Sequence, residues 1–203
     1  MHTWFMEEEE EEPVEEQPNN KKEMPKEIMN RLLETRTVLI FGEINMRLAQ
    51  QVTQQLLILA ADSDEPIKVF INSPGGHVES GDTIFDMIRF VNVPVKVIGT
   101  GWVASAGALI YAAADRENRY SLPNTRFLLH QPMGGTFGQA ADIAIEAEEI
   151  IKMRRRLNQI FAEQTGQPLE KVEQDTDRNF WMSAKEAQDY GLVGHIVKSL
   201  DAV

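Results

Sequence analysis

Short apolar runs alternate with longer amphipathic segments along most of the chain. The runs at 37–41, 67–71 and 95–99 are mostly apolar and rich in β-branched residues, which predicts strands that are covered on both faces. The segments at 47–60 and 78–91 repeat apolar residues at helical spacing and predict helices between those strands. This alternation is typical of an α/β domain built on a mainly parallel, covered sheet.

A longer helix is predicted from Gln139 to about Gln164. At ~1.5 Å per residue it measures nearly ~40 Å, more than a domain of this size needs to cover its sheet. Two interpretations stay open: part of the helix projects into a partner subunit, or the whole helix lies on its own domain. Its apolar stripe consists of Ile143, Ala147, Ile150, Leu157, Ile160 and Phe161.

The first 26 residues differ in composition from the rest of the chain. They contain nine Glu and three Lys, a net charge of −6 and half of the −12 of the whole chain. Like charges repel and bury no apolar surface, so residues 1–26 are predicted to be an acidic disordered tail; a removable propeptide or a docking segment are the alternatives. Residues 27–203 are predicted to form one domain, because 203 residues are too few for two well-buried cores.

Composition also argues against several functions. A net charge of −12 without a basic stripe argues against binding to nucleic acid or to an anionic membrane. The absence of Cys excludes disulfides and thiolate zinc sites and permits a reducing compartment. The chain does not open with the basic and then apolar pattern of a secretory signal, and its longest apolar stretch, 103–114, is shorter than the ~20 residues that span a bilayer. We therefore predict a cytoplasmic protein.

Two loops at the ends of predicted strands combine small residues with potential chemistry. Asn72-Ser73-Pro74-Gly75-Gly76 has paired glycines that let backbone N–H groups approach a ligand, although Pro-Gly-Gly is also an ordinary turn. The loop Gly101–Ala108 sets Ser105 before a predicted helix over 106–114. There Ser105 is either a nucleophile with the Ala106 N–H beside it, or a plain helix N-cap.

A third loop, Phe127–Pro132, ends an apolar strand with His130. A histidine at a strand end is either a general base or a satisfied structural residue. A hydroxyl nucleophile needs a base within hydrogen-bond reach and two donors for the oxyanion, and the three loops together supply each part once.

These loops, with two further motifs, resemble the proteolytic subunit of the ATP-dependent Clp protease. The motifs follow one another in the same order and spacing as in that family, and the resemblance runs from about Arg31 to Val197. The matching motifs are Asn72-Ser73-Pro74-Gly75-Gly76, Ala104-Ser105-Ala106-Gly107-Ala108, Leu122-Pro123-Asn124-Thr125-Arg126, His130-Gln131-Pro132 and Asp175-Thr176-Asp177-Arg178.

The resemblance implies a crotonase-like, Clp protease-like α/β fold and a serine endopeptidase that degrades unfolded proteins to peptides. By this resemblance Ser105 is the nucleophile and His130 the general base. The N–H groups of Gly76 and Ala106 are then the oxyanion hole.

The resemblance also implies a ring assembly of fourteen subunits. The long helix would be a handle that interleaves two stacked seven-membered rings, and the loop Gly134–Gly138 would line the substrate strand. Asp177 and Arg178 would pair with the opposite ring. ATP would be used by a separate AAA+ unfoldase, so the chain itself needs no cofactor. His2, His77 and His195 lack metal-ligand spacing, and we predict no metal.

The chain departs from the family at its third catalytic residue. The family has an Asp after the Arg that Arg178 matches, whereas this chain has Asn179. Asn can orient the imidazole but brings no charge to stabilise an imidazolium. Three outcomes stay open: a weak or partner-dependent peptidase, an active one that borrows Asp175 or Asp177, and a structural subunit beside a second Clp subunit.

Two other features bear on partners and on function. The axial-loop sequence of the family is reduced here to Arg31-Leu32-Leu33 behind the acidic tail, so the chain departs from the family in the segment that would dock the unfoldase. The same architecture also serves crotonase-type enzymes that bind acyl-CoA. Those enzymes need an acid/base carboxylate, and here the matching positions hold Ser105 and His130, which favours the peptidase.

Overall fold

The computed structural model describes residues 25–135 and 137–203. These residues form seven strands and seven α-helices, with two short 3-10 helices. The strands are β1 Thr37–Phe41, β2 Ile67–Ser73, β3 Val95–Ala104, β4 Arg119–Ser121, β5 Arg126–Leu129, β6 Phe180–Ser183 and β7 His195–Ile196. The helices are α1 Lys26–Glu34, α2 Met46–Asp62, α3 Val78–Phe90, α4 Ala106–Tyr111, α5 Ala140–Thr165, α6 Leu169–Asp175 and α7 Ala184–Tyr190.

The strands form one sheet in the order β1-β2-β3-β4-β7, and β5 pairs with β3 and with β6. The pairing of β5 with β6 is antiparallel, and the other pairings between the described strands are parallel. The alternating burial of β2 turns Ile67, Val69 and Ile71 into the core. The α/β fold with a mainly parallel, covered sheet is confirmed.

Strand β3 is longer than the apolar pattern predicts and serves two neighbours in succession. Its residues 97–99 pair with β4, and its residues 102–104 pair with β5. The change of neighbour follows Gly101, which adopts a left-handed φ of 61°. A Cβ there would lie 2.8 Å from Asn72 Oδ1, so only glycine fits this bend without displacing Asn72. Beyond the bend, β3 continues to Ala104 and delivers the chain to Ser105.

Helix α4 is shorter than the predicted 106–114 because a buried arginine binds the carbonyls at its end. Arg119 is 1% exposed, and its guanidinium donates to Ala114 O at 2.7 Å and to Ala112 O at 3.1 Å. It also donates to Gln164 O at 2.8 Å, at the end of α5. Burial lowers the pKa of Arg119 to about 10, which leaves it cationic at neutral pH. The Arg119 cation thus binds backbone carbonyls at the C-terminal ends of both α4 and α5.

Helix α5 has two different halves. Its C-terminal half packs on the domain through Leu157, Asn158 and Phe161. Its N-terminal half is exposed in this chain, and Ile143 and Ile151 lie at the surface. The predicted stripe is therefore buried only in its C-terminal part. At 26 residues the helix spans ~39 Å, close to its predicted bounds.

The predicted acidic tail falls almost wholly on residues 1–24, outside the described residues, and stays a prediction. Helix α1 begins at Lys26, directly before the predicted start of the domain. None of the helices in residues 25–135 and 137–203 combines the length with the apolar composition that a membrane-spanning segment requires. The same part of the chain contains no cluster of three or more His, Cys, Asp or Glu side chains that could hold a metal ion.

Candidate active site

Ser105 lies at the junction of β3 and α4 in a backbone conformation that is unusual for serine. Its φ of 55° and ψ of −122° place a non-glycine residue in a sparsely populated region. Its N–H donates to Leu128 O at 2.9 Å, and its carbonyl accepts from Ala108 N and Leu109 N in α4. The Ser105 side chain makes no capping hydrogen bond to α4, so the N-cap interpretation does not explain it. Strain of this kind is characteristic of functional sites.

The glycine loop after β2 runs directly against Ser105. A Cβ on Gly75 would lie 2.6 Å from Ser105 Cβ and 3.1 Å from Ser105 Oγ, which only a glycine avoids. Gly76 forms a parallel bridge with Ile44, in which Ile44 N donates to Gly75 O and His77 N donates to Ile44 O. In such a bridge the N–H of the middle residue points away from its partner. The bridge to Ile44 therefore holds this part of the loop in place, and the Gly76 N–H points toward an acceptor other than Ile44.

His130 follows β5, the strand beside the last residues of β3. Ala104 pairs with Leu128, so His130 lies just beyond the position opposite Ser105. The His130 side chain is half-buried, and this burial lowers its pKa below the ordinary 6.5. At neutral pH the imidazole is therefore uncharged, as a general base must be.

Asn179 and His130 lie at the same end of the antiparallel pair of β5 and β6. Leu129 and Phe180 are the last partners in this pairing, and His130 and Asn179 are the residues next to them. Among the hydrogen bonds of the described residues, none joins His130 to Ser105 or to Asn179. The fold thus brings the three residues to the same end of neighbouring strands without a hydrogen bond between them.

The two aspartates that could replace the missing acid are bound to other groups. The Asp175 carboxylate accepts from Lys171 Nζ at 2.6 Å and from Tyr190 OH at 2.9 Å. The Asp177 carboxylate forms an ion pair with Arg154 at 3.1 Å. Neither carboxylate bonds to His130, so the structure does not support the outcome in which one of them is borrowed.

Sequence reasoning missed the contacts that hold the Asn179 loop in place. Thr176 O accepts from Gln131 N at 2.7 Å, and Gln131 Nε2 donates to Asp177 O at 2.6 Å. The Thr176 hydroxyl lies 2.9 Å from Asn158 Oδ1 on α5. The position of Gln131 directly after His130 was the available signal. These bonds connect α5, the loop before Asn179 and the segment that carries His130.

The remaining predicted site segments lie at the surface. Arg178 is exposed and its Nη1 is 3.5 Å from Asp177 O. The loop Gly134–Gly138 precedes α5; Phe137 in it is fully exposed, and Thr136 lies outside the described residues.

A strained serine beside a glycine loop, with a neutral histidine just past the end of the adjacent strand, is an arrangement expected of a serine-type peptidase on an α/β sheet. A family model described as Clp protease matches residues 20–200. The chain belongs to the Clp protease family and is a proteolytic subunit of the serine-peptidase type.

Similar proteins agree with this family. ATP-dependent Clp protease proteolytic subunit 3 of Rhizobium etli is 63% identical over 180 residues, 88% of this chain and 93% of that protein. Proteolytic subunit 2 of Gluconobacter oxydans is 67% identical over 175 residues, 85% of this chain and 78% of that protein. The solved structure of ClpP1 from Listeria monocytogenes is 56% identical with a TM-score of 0.78, and covers 86% of this chain and 98% of its own. An Asn-to-Asp point mutant of that ClpP1 has a TM-score of 0.81.

Proposed function

We propose that this chain cleaves peptide bonds with Ser105 as nucleophile and His130 as general base. Ser105 Oγ attacks the carbonyl carbon of the scissile bond while His130 accepts its proton. The oxyanion that forms is held by the N–H groups of Gly76 and Ala106. The C–N bond then breaks as His130 returns the proton to the leaving amine. A water molecule next gives a proton to His130 and attacks the acyl carbon, which breaks the bond to Ser105 Oγ and releases the acyl group.

One observation carries this proposal: the glycine loop lies against the side of a strained Ser105. The Gly75 backbone leaves no room for a side chain next to Ser105 Oγ. The Gly76 N–H is turned away from its bridge partner, and Ala106 N is the first N–H of α4. First-turn N–H groups lack partners inside their helix and are available to an anion.

Asn179 takes the place of the acid in this proposal and orients the His130 ring. As an amide it accepts from a ring N–H, but it adds no negative charge beside the imidazolium. The proposed activity is therefore weak for the isolated chain, or depends on a partner that orders the site.

We further propose that the chain works in a tetradecamer of two stacked seven-membered rings. The exposed N-terminal half of α5 would interleave with the opposite ring, since it presents isoleucines that its own domain does not cover. Asp177 and Arg178 would pair across the same interface, next to Asn179. Substrates would be unfolded proteins and peptides in the cytoplasm. A Clp-type AAA+ unfoldase would use the ATP, so the chain itself would need no cofactor. The chain would bind no metal and would have no nucleic-acid or membrane partner.

A second function is supported by a specific observation: within residues 25–135 and 137–203, none of the three candidate acid positions brings a carboxylate to His130. Asn179 is neutral, and Asp175 and Asp177 are bound elsewhere. The chain would then be a weakly active or inactive paralogous subunit in a hetero-oligomeric Clp protease. Relatives named proteolytic subunit 2 and subunit 3 belong to numbered sets.

Steady-state cleavage of a short fluorogenic peptide decides between these functions. The peptide enters a ring without an unfoldase, so the assay reads the proteolytic subunit alone. We expect Ser105→Ala and His130→Ala each to reduce turnover to background while sedimentation shows intact rings. Turnover that needs a second Clp subunit, yet survives Ser105→Ala in this chain, would establish the structural function instead.

A further inference from the structure

The residue after Gly76 is held by the first turn of α3. His77 is the N-cap of α3; its Nδ1 lies 2.8 Å from Ser80 Oγ and its Nε2 lies 3.1 Å from Glu79 Oε2. A carboxylate only accepts hydrogen bonds, so Nε2 carries a proton toward Glu79. Nδ1 and the Ser80 hydroxyl share a second hydrogen bond. Both ring nitrogens of His77 are therefore engaged by α3.

A serine, a histidine and a carboxylate in a row are also the parts of a nucleophilic site, but this cluster is not a second one. Ser80 is only 3% exposed, so a peptide carbonyl cannot reach its Oγ. The nearby N–H of Gly81 is not available to an oxyanion, because it donates to His77 O at 3.1 Å. The cluster must therefore act on its neighbours and not on a substrate of its own.

Those neighbours are the two proposed oxyanion donors. Gly76 directly precedes His77, whose own N–H is fixed to Ile44 O at 2.9 Å. On the other side, Gly81 follows Ser80 and packs on Ala106: a Cβ built on Gly81 would lie 3.1 Å from Ala106 Cβ. The bond between His77 and Ser80 thus joins the segment of Gly76 to the turn that supports Ala106.

We infer that His77 is a positioning residue that sets the spacing between the N–H groups of Gly76 and Ala106 through its bond to Ser80. This inference rests on the proposed function, in which those two groups bind the oxyanion. Donors act in the transition state only when they lie about 2.7–3.1 Å from the developing oxyanion, and the loss of one donor costs roughly 10²–10³ in kcat. Release of His77 from Ser80 misaligns a donor without removing it, so we expect a smaller loss, about 10-fold.

Four variants of the whole protein, assembled as it occurs, separate positioning from simple packing. His77→Ala and Ser80→Ala remove the bond, and each is expected to lower kcat about 10-fold while KM changes less than about 2-fold. His77→Asn keeps an acceptor near the position of Nδ1 and a good N-cap, and should retain kcat within about 2-fold. Glu79→Gln is the matched control, because it changes the exposed contact of the same ring and leaves the bond between His77 and Ser80 in place.

Hydrogen exchange gives a readout that does not depend on activity. Release of His77 should speed amide exchange in the peptide 73–80 and at Ile44 for His77→Ala and Ser80→Ala, and not for Glu79→Gln. If Ser105 is unreactive in the unaltered protein, the proposed function fails, while the exchange rates still decide whether His77 holds this segment. Unchanged exchange and unchanged kcat in both Ala variants, or a parallel change of kcat and KM, would overturn the inference.

Discussion

The replacement Asn179→Asp tests how the missing acid limits the site. His130 and position 179 are the residues next to Leu129 and Phe180, the last partners of β5 and β6. A carboxylate there would accept from one ring N–H, leave the other ring nitrogen free to face Ser105, and stabilise the imidazolium that forms during attack. Only charge and tautomer preference would change, because Asp and Asn have nearly the same shape.

The size of the effect follows from burial. Serine peptidases lose roughly 10⁴ in kcat when this Asp becomes Asn, which corresponds to about 5.5 kcal/mol of barrier. Asn179 is exposed in this chain, and an exposed carboxylate stabilises a cation by only about 1 kcal/mol. About 1 kcal/mol corresponds to ~5-fold in rate, so we expect Asn179→Asp to raise peptide turnover ~5-fold while the pair is exposed, with a ceiling near ~10⁴ if assembly buries it.

The assay is steady-state cleavage of a fluorogenic peptide as a function of pH, with Ser105→Ala as the blank. A new anion beside His130 favours the protonated ring, so the acidic limb of the pH profile should also move to higher pH. Asn179→Leu, which can neither orient nor charge the ring, is the matched control and should not exceed the unaltered chain. If Asn179→Asp stays at the rate of the blank in an intact double ring, the missing acid is not what limits the site, and the structural function is favoured.

Three further predictions follow from named contacts. Gly75→Ala would force a Cβ to 2.6 Å from Ser105 Cβ and displace the oxyanion donors, so the rate of fluorophosphonate labelling should fall at least ~10²-fold. Labelling at the normal rate would contradict the proposed loop geometry. Arg119→Met leaves buried carbonyls at two helix ends without a donor, so the free energy of unfolding in chemical denaturation should fall by roughly 3–5 kcal/mol. A loss below about 1 kcal/mol would show that these bonds contribute little. Burial lowers the pKa of His130, so kcat/KM should rise with pH as the ring loses its proton, with a midpoint below 6.5. A midpoint above 6.5 would mean that the ring is not buried in the working enzyme.

The regular elements could be predicted because their signals are local. The strand Thr37–Phe41 matches its apolar run, and helix α5 lies within one residue of the predicted bounds at each end. β3 and α4 differ from prediction for reasons that are not local. Gly101 bends the strand so that it continues past its apolar run, and the side chain of Arg119 binds the carbonyls at the end of α4.

The candidate site was predictable in its parts but not in its geometry. Ser105 and His130 follow strands that the apolar pattern predicts, but no local sequence signal predicts the positive φ of Ser105. The position of Asn179 depends on the pairing of β6 with β5, about 50 residues apart in sequence, and was reached only through resemblance to a family. The contact of His77 with Ser80 left a weaker signal, a histidine three residues before a serine at the start of a helix.

The identity of the reactive serine shows whether Ser105 is the nucleophile and whether His130 activates it. The intact protein, alone and with a second Clp subunit, is treated with a fluorophosphonate and the modified peptide is mapped by mass spectrometry. We expect one adduct per chain, on Ser105, that is absent in His130→Ala and forms faster in Asn179→Asp. An adduct on a different serine, or an unchanged rate at Ser105 when His130 is removed, would contradict it.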